Sequence, residues 1–587
     1  MRNTKIVCTL GPAVDDVDRV AEMLRAGMNV ARFNFSHGTH EEHAARIARL
    51  REASSDTGIP VAILLDTKGP EIRTGRIAGG GTIDLVRGAG IVLTSDEIEG
   101  SAERLSVSYK QLPDDVQPGD HVYVADGLID LEVLESDGTD ITCVVRNGGT
   151  IGSRKNVNVP GVRTALPGMT EKDRADILFG IEQGIDFIAA SFVRRPDNVS
   201  EIKELVQEQG AAIPVIAKIE DREGLDNIDD IIDVSGGVMV ARGDLGVQLA
   251  TEEIPLAQKR IIKKCNKQNK PVITATQMLD SMIHNPKPTR AELTDVANAI
   301  FDGTDAVMLS GETAGGSYPI ESVRMMHRIA VAVEASTEYH ERCKEYFFFH
   351  DASHDIGDAV AKAAYVVASD VGASAIVTPT LRGNSPAILN KFRPLQNIIA
   401  PTPSEEVRRQ LMLHWGIYPI LVDFVGDSDV MIQNALRSAL RHQYIQRLDR
   451  VVTVAGIPVN SPAMMNTIKV HVMGTILTRG HQGVGGTCTG RIVKVANARE
   501  AEKEVIGDGS DILLVDTLSE ELIPYLENVI GVISQASVRT PMEELRAKNE
   551  DLVIIAEAPD SYDRLEEGLI VSLDGEEKIV YEGVIAG

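Results

Sequence analysis

The sequence is short of positive charge, of paired cysteines and of long apolar runs, and each shortage argues against a class of function. It sets 59 lysines and arginines against 86 aspartates and glutamates, a net charge of -27. Nucleic-acid backbones and anionic membranes are gripped by clustered Lys and Arg, so neither is an expected partner. Five cysteines (Cys8, Cys143, Cys265, Cys343, Cys488) are odd in number, scattered and free of any CxxC pair. They indicate neither a zinc site nor a disulfide framework, and a reducing cytosol is the expected compartment. No apolar run approaches the ~20 residues that span a bilayer. A first strand is expected within a few residues of Met1, which leaves no room for a signal peptide. Internal repeats and low-complexity tracts are also missing.

The acidity has two readings. One is an acidic cytosolic enzyme kept soluble by self-repulsion. The other is a salt-rich cytosol, where carboxylate-rich surfaces stay hydrated and repulsion is screened within a few Å. Arginines outnumber lysines, and the high-salt, halophilic reading is the expectation. With 43% hydrophobic and 25% charged residues the composition is that of a globular protein. A chain of 587 residues exceeds one hydrophobic core and should hold roughly three or four domains.

What the chain does have is a series of eight short apolar runs, each ending in a polar or charged residue. They are Ile6–Thr9, Asn29–Arg32, Val61–Asp66, Phe187–Ser191, Val215–Glu220, Val238–Asp244, Val272–Gln277 and Ala306–Glu312. Helix-like stretches such as Asp16–Ala26 and Asp197–Gln209 separate most of them. Parallel strands covered by helices on both sides read as such unbroken runs. Eight strand–helix units predict a closed (β/α)8 TIM barrel with its site at the carboxyl ends of the strands. Those ends collect Arg32, Asn34, Asp66, Lys218, Glu220, Asp244, Thr276 and Glu312, a set suited to a metal ion and a phosphorylated anion.

Between the third and fourth runs, short alternating segments with Asp-Gly turns at 126-127 and 137-138 predict hairpins and a small β-barrel. The barrel is therefore read as residues 1-70 and 164-345, interrupted by an inserted β lid at 71-163. Helix and strand alternate over 346-473, which predicts a separate α/β domain. Residues 474-587 form a fourth, smaller block entered through Gly480, Gly483, Gly485, Gly486 and Gly490.

Lys218 and Glu220 lie two apart on a strand, so both point into the barrel mouth. Lys218 can neutralise a transferring phosphoryl group or an enolate, and Glu220 can hold a divalent cation; an intrabarrel salt bridge is the alternative. Asp244 follows the sixth run, where backbone N–H groups around Gly243 can face an anion. Arg32, Asn34 and Ser36 are read on one strand face, an arginine for phosphate and oxygens for a hard monovalent cation. Asp66 and Thr67 join that oxygen cluster, and Arg73 sits at the root of the insertion. His37 is either part of the site or a surface hydrogen-bonding residue.

The strings KIVCTLGP, ARFNFSHG, LLDTKGPEIRTG, GSRKNVNVPG, KIEDREGLDN, GDLGV, ATQMLDSM, PTRAELTDVANAI and LSGETAGG occur in this order over residues 3 to about 474. Together they resemble the pyruvate kinase family closely. The resemblance implies a catalytic barrel, a mobile lid and an effector-binding third domain in a cytoplasmic homotetramer. It implies Mg2+ or Mn2+ on Glu220 and Asp244, and phosphoenolpyruvate on Arg32, Gly243, Asp244 and Thr276. Lys218 would stabilise the transition state, with Thr276 and Ser310 as candidates for relaying a proton. K+ would lie among Asn34, Ser36, Asp66 and Thr67, and ADP or ATP would meet Arg73, Lys155 and His37. The order of events fits the residues, because phosphoryl transfer needs charge neutralisation and positioning more than covalent catalysis.

Three departures from the family pattern are visible. Asp221 stands where Asn, Arg or Lys is commoner, and Gln248 replaces a glutamate. The last block resembles a phosphohistidine domain of phosphoenolpyruvate-using enzymes, but Ser537–Pro541, where the reactive residue belongs, holds no histidine. An α/β loop with Thr378, Thr380, Arg382, Gly383 and Ser385 is either a phosphate site for an allosteric effector or an ordinary turn. Competing functions are a barrel lyase that stabilises pyruvate enolate, which leaves GSRKNV unexplained, and a non-catalytic paralogue, against which Lys218, Glu220 and Asp244 speak.

Overall fold

Eight parallel strands close on themselves, the last pairing with the first: Lys5–Thr9, Val30–Asn34, Ala62–Asp66, Phe187–Ala190, Val215–Ile219, Gly237–Ala241, Val272–Ala275 and Ala306–Leu309. Each falls on one of the eight apolar runs. The structure is a computed structural model that describes residues 1–349, 355–446, 449–458, 465–473, 475–505, 509–547 and 549–583. The expected boundary residue Gly474 and the last residue Gly587 lie outside the described residues. The chain divides into two compact units, Met1–Glu345 with Arg409–Gly416, and Tyr346–Arg408 with Ile417–Gly587.

Strand alternation sorts the barrel's core into two layers. Val7, Val30, Leu64, Phe187, Ile216 and Met239 point inward and pack together, while Ile6, Cys8, Ala31 and Ile63 pack against the surrounding helices. The helices start where capping chemistry dictates. Asp16 caps Val17–Ala26, and Thr39 with Glu42 forms a capping box on His40–Thr57. Thr170 with Asp173 does the same for Glu171–Glu182.

Residues 409–416 lie within the stretch read as the α/β domain, yet they belong to the barrel unit. Met412 and Leu413 join the inward-facing core, and Trp415 is buried against the helical layer. Left uncovered, that interior would expose apolar surface to water. Arg409 Nε donates to the buried Asp186 Oδ1 at 2.8 Å. Even so, burial pushes the Asp186 carboxyl up to about 6.

The insertion forms a seven-stranded sheet and a two-stranded ribbon. Its edge strands, Ile72–Arg73 and Arg104–Ser106, meet through a bridge between Thr74 and Val107, so the sheet curls into the expected barrel-like form. The glycine run at 79–81 enters a short 3-10 turn, Ala78–Gly80.

The second unit holds two sheets. In one, Ile417–Leu421, Asn397–Thr402, Ala375–Val377 and Arg450–Ala455 run parallel, with Thr467–Val472 antiparallel at the edge. The other is eight-stranded and lies in the C-terminal block. Its parallel centre is Thr487–Lys494, Asp511–Val515, Gly531–Ser534 and Val553–Ala556. All five cysteines are buried. Among the described residues no helix is long and apolar enough to cross a membrane.

Candidate active site

Closing the barrel brings charged residues from separate strands onto one axis. Arg32, at the end of the second strand, donates from Nε to Asp66 Oδ2 at 2.6 Å and from NH1 to Thr9 Oγ1 at 2.9 Å. Lys218, on the fifth strand, lies 3.0 Å from both Asp66 Oδ1 and Glu220 Oε1, and donates to Ser191 Oγ at 2.6 Å. Strand geometry therefore does what the two-residue spacing of Lys218 and Glu220 predicts. Asp66, Glu220 and Lys218 are all buried. Desolvating charges costs several kcal/mol each unless they are paired, and this network of two cations and two carboxylates is the pairing.

The electrostatics are asymmetric. Burial alone would raise the Asp66 carboxyl, but the charges and hydrogen bonds of Arg32 and Lys218 hold it below the usual range. Burial alone would lower the Lys218 ammonium, but Asp66 and Glu220 keep it above the ordinary lysine value. Glu220, paired with Lys218, is the carboxylate that burial perturbs upward. Burial, with the Asp244 charge adding, pushes its carboxyl up to about 7 against the pull of Lys218. A buried carboxylate facing a second one is relieved by a divalent cation, so this pair fits the metal that the family implies. Among the described residues no cluster of three or more His, Cys, Asp or Glu that could hold a metal ion is present.

Asp244 lies in the short helix Arg242–Gln248 directly after the sixth strand, exposed at the mouth. A Cβ on Gly243 would come within 2.8 Å of Thr276 Cγ2, so only glycine allows this approach. Thr276 itself has a φ of 73°, a left-handed conformation that costs a threonine energy and recurs at functional sites. Ser310 begins the turn after the eighth strand, and its N–H donates to Glu312 Oε2 at 2.7 Å. Glu312, read among the mouth acids, is spent on backbone: it also accepts from Leu279 N at 3.1 Å.

The monovalent-cation set sits on two neighbouring strands. Asn34 and Asp66 are register partners, and Thr67 follows. Ser36 lies past the end of its strand, not on the face shared by Arg32 and Asn34, and its N–H donates to Asn34 Oδ1 at 3.1 Å. Hydroxyl, amide and carboxylate oxygens on adjacent loops suit a hard cation. The nucleotide candidates stand apart. Arg73 pairs with Glu71 and donates to Arg154 O at 3.0 Å. Lys155 and His37 are exposed. Among the described residues no hydrogen bond or ion pair ties these three side chains to the Lys218 cluster. A cavity of about 150 Å³ between the root of the insertion and the mouth is lined by Glu71, Asn158, Arg163, Arg194, Asp244 and Gln248, among others. Gln248, the departure from the family pattern, donates to Asn158 Oδ1 of the insertion at 3.2 Å.

Two contributors carried no sequence signal beyond their position at the end of the fourth run. Ser191 Oγ accepts from Lys218 and donates to Thr67 O at 2.7 Å, joining the two halves of the site. Phe192, with a φ of 55°, aims its N–H at Glu220 Oε2 at 2.5 Å.

A closed barrel whose mouth holds Arg32 and Lys218 beside Asp66, Glu220 and Asp244 fits an enzyme that binds an anionic substrate. Comparison with known proteins narrows this. The family model described as pyruvate kinase, barrel domain, matches residues 1–323, and the one described as pyruvate kinase, alpha/beta domain, matches residues 358–471. Pyruvate kinases of Geobacillus stearothermophilus and Sporosarcina psychrophila are 47% and 44% identical, each over 99% of both chains. A crystal structure of a pyruvate kinase from Cryptosporidium parvum superposes with a TM-score of 0.77 at 41% identity, covering 80% of this chain and 96% of that one. The chain belongs to the pyruvate kinase family.

Proposed function

We propose a division of labour at the barrel mouth for the reaction that defines the family. The enzyme transfers the phosphoryl group of phosphoenolpyruvate to ADP, giving pyruvate and ATP. The observation that carries the assignment of roles is the buried Arg32–Asp66–Lys218–Glu220 network with Asp244 beside it.

Glu220 and Asp244 would hold Mg2+ or Mn2+, which would supply Lewis-acid chemistry for an anionic substrate. Asn34, Ser36, Asp66 and Thr67 would hold K+, adding positive charge beside the phosphoryl group. Arg32 grips the phosphate, and Gly243 lets substrate approach the backbone beside Thr276. Lys218, kept protonated by Asp66 and Glu220, faces the phosphoryl group as its bond to the enol oxygen breaks and its bond to a β-phosphate oxygen of ADP forms. Preorganised charge of this kind is worth about 3 kcal/mol in the transition state. The enolate left behind takes a proton at carbon. Lys218 is a poor donor because its partners raise its pKa, so Thr276 and Ser310 are the candidates for a relay. Arg73, Lys155 and His37 meet the nucleotide.

Further from the site, a phosphorylated effector fits the loop at Thr378–Ser385. Thr378 Oγ1 is buried there without a partner among the described residues, and Gly383 in the left-handed region opens the helix Asn384–Asn390. The C-terminal block is read as a structural or assembly element resembling a phosphohistidine domain without its histidine. The sequence Ser537–Pro541, which holds no histidine, supports that reading, and a homotetramer is the expected assembly.

Pyruvate formation should require ADP stoichiometrically; pyruvate released without ADP would favour a lyase, and no pyruvate a non-catalytic paralogue. Glu220→Gln should raise the Mg2+ needed for half-activation about tenfold or more, and an unchanged titration would remove Glu220 from the ligand set.

A further inference from the structure

We propose that the helix Glu171–Glu182, which begins where the chain returns from the insertion, is a brace that sets the spacing of the monovalent-cation donors. Lys172, Asp173 and Asp176 are its positioning residues. The inference rests on the reading of Asn34, Ser36, Asp66 and Thr67 as those donors.

The helix buries an unusual face: Asp173, Asp176, Ile177 and Gly180. Apolar residues would pack a helix onto a barrel more cheaply, since a buried carboxylate is costly unless paired. Here both carboxylates are spent on the two cation-bearing loops. Asp173 Oδ1 accepts the N–H of Gly69, two residues beyond Thr67, at 3.0 Å. Gly69 has a φ of 73° and no room for a side chain, since a Cβ would lie 2.8 Å from Ser191 Cβ. Lys172 Nζ donates to Phe35 O, between Asn34 and Ser36, at 2.8 Å, and to Asp176 Oδ2 at 2.6 Å. Asp176 Oδ1 holds His40 Nε2 at 2.7 Å.

Ring contacts lock the same loop from its other side. His43 stacks on Phe35 with centroids 4.1 Å apart, and its Nε2 donates to His37 O at 2.9 Å. His40 stacks on Phe179 of the brace at 4.3 Å. None of these groups reaches the cation donors' own oxygens. They fix the backbone from which those oxygens project, and donors held at a fixed spacing favour one ionic radius over another.

The test uses the full-length enzyme with Lys172→Met, Asp176→Asn and the conservative Lys172→Arg. Lys172 is half exposed and His40 still pairs with Asp176 in its absence, so Lys172→Met should fold with a lowered Tm. Two readouts are taken at constant ionic strength, with tetramethylammonium replacing K+ or Na+. One is half-activation of pyruvate formation at saturating substrates and Mg2+; the other is the K+-induced rise in Tm without substrates. The wild type should be activated and stabilised by K+. Lys172→Met and Asp176→Asn should need about tenfold more K+ in both readouts, discriminate less against Na+, and recover most of kcat at saturating K+. Lys172→Arg should restore part of the affinity. Unchanged K+ titrations in both variants would overturn the brace, as would a kcat loss that saturating K+ cannot repair. A wild type indifferent to K+ in both readouts would instead overturn the cation site itself, and the brace with it.

Discussion

The barrel and the C-terminal block are both built on parallel strands, yet among the described residues only the barrel gathers a charged site at its strand ends. In the barrel, eight ends converge, so Arg32, Asp66, Lys218 and Glu220 from three strands meet within hydrogen-bonding distance. In the block, Thr487–Lys494, Asp511–Val515, Gly531–Ser534 and Val553–Ala556 lie side by side in an open sheet. Polar residues at their ends satisfy one another locally: Gln535 donates to Asp516 at 2.9 Å and Gln482 to Glu557 at 3.0 Å. Closure, more than composition, concentrates charge. His481, the block's one histidine, lies on an exposed turn before Gln482–Val484, and its N–H is tied to Ala556 O at 3.1 Å.

The sharpest way to break this comparison is at Arg32. Arg32→Met removes the proposed phosphate grip and leaves the buried Asp66 with one cation, so kcat/KM should fall about a thousandfold, with some loss of Tm. A loss below tenfold would mean that the mouth does not work through this network. Deleting the chain from Gly474 onward should do far less to chemistry. Turnover per folded barrel should stay within about threefold, while Tm or oligomeric state changes. Complete loss of turnover in a truncated protein that stays folded and keeps the assembly of the full chain would place catalytic work in the block, and so would acid-labile phosphate on His481 of the full chain.

The smallest effect is expected at the barrel's other end. Asp186 titrates at about 6 in the fold against an ordinary 3.8. The folded state therefore holds more protons than the unfolded chain between those values, and stability falls as pH rises through that window. Asp186→Asn lacks that slope, so its Tm relative to wild type should improve from pH 4 to 6.5, at about 1.4 kcal/mol per pKa unit or less. A difference in Tm that stays flat across that range would show that Arg409 keeps Asp186 ionised throughout.

Much of this molecule was legible in its sequence because closed parallel barrels write themselves as unbroken apolar runs. All eight runs became barrel strands, and the alternation of strand side chains placed Lys218 beside Glu220. What stayed hidden depends on chain segments distant in sequence. Nothing local marks Ser191 as the link between Lys218 and Thr67, or 409–416 as part of the barrel unit. Backbone conformation was equally silent, since a threonine or phenylalanine gives no sign that it will adopt a positive φ, as Thr276 and Phe192 do. Period-2 alternation does not reach Ser36, because the strand ends at Asn34.

The central claim is that a fixed, buried lysine at the barrel mouth stabilises phosphoryl transfer. Its most direct test is the single-turnover rate of transfer from phosphoenolpyruvate to ADP in Lys218→Met, measured beside phosphoenolpyruvate affinity. The account predicts a rate lowered about a hundredfold or more, with affinity changed by less than about fivefold. A variant that keeps a tenth of the wild-type rate would contradict it.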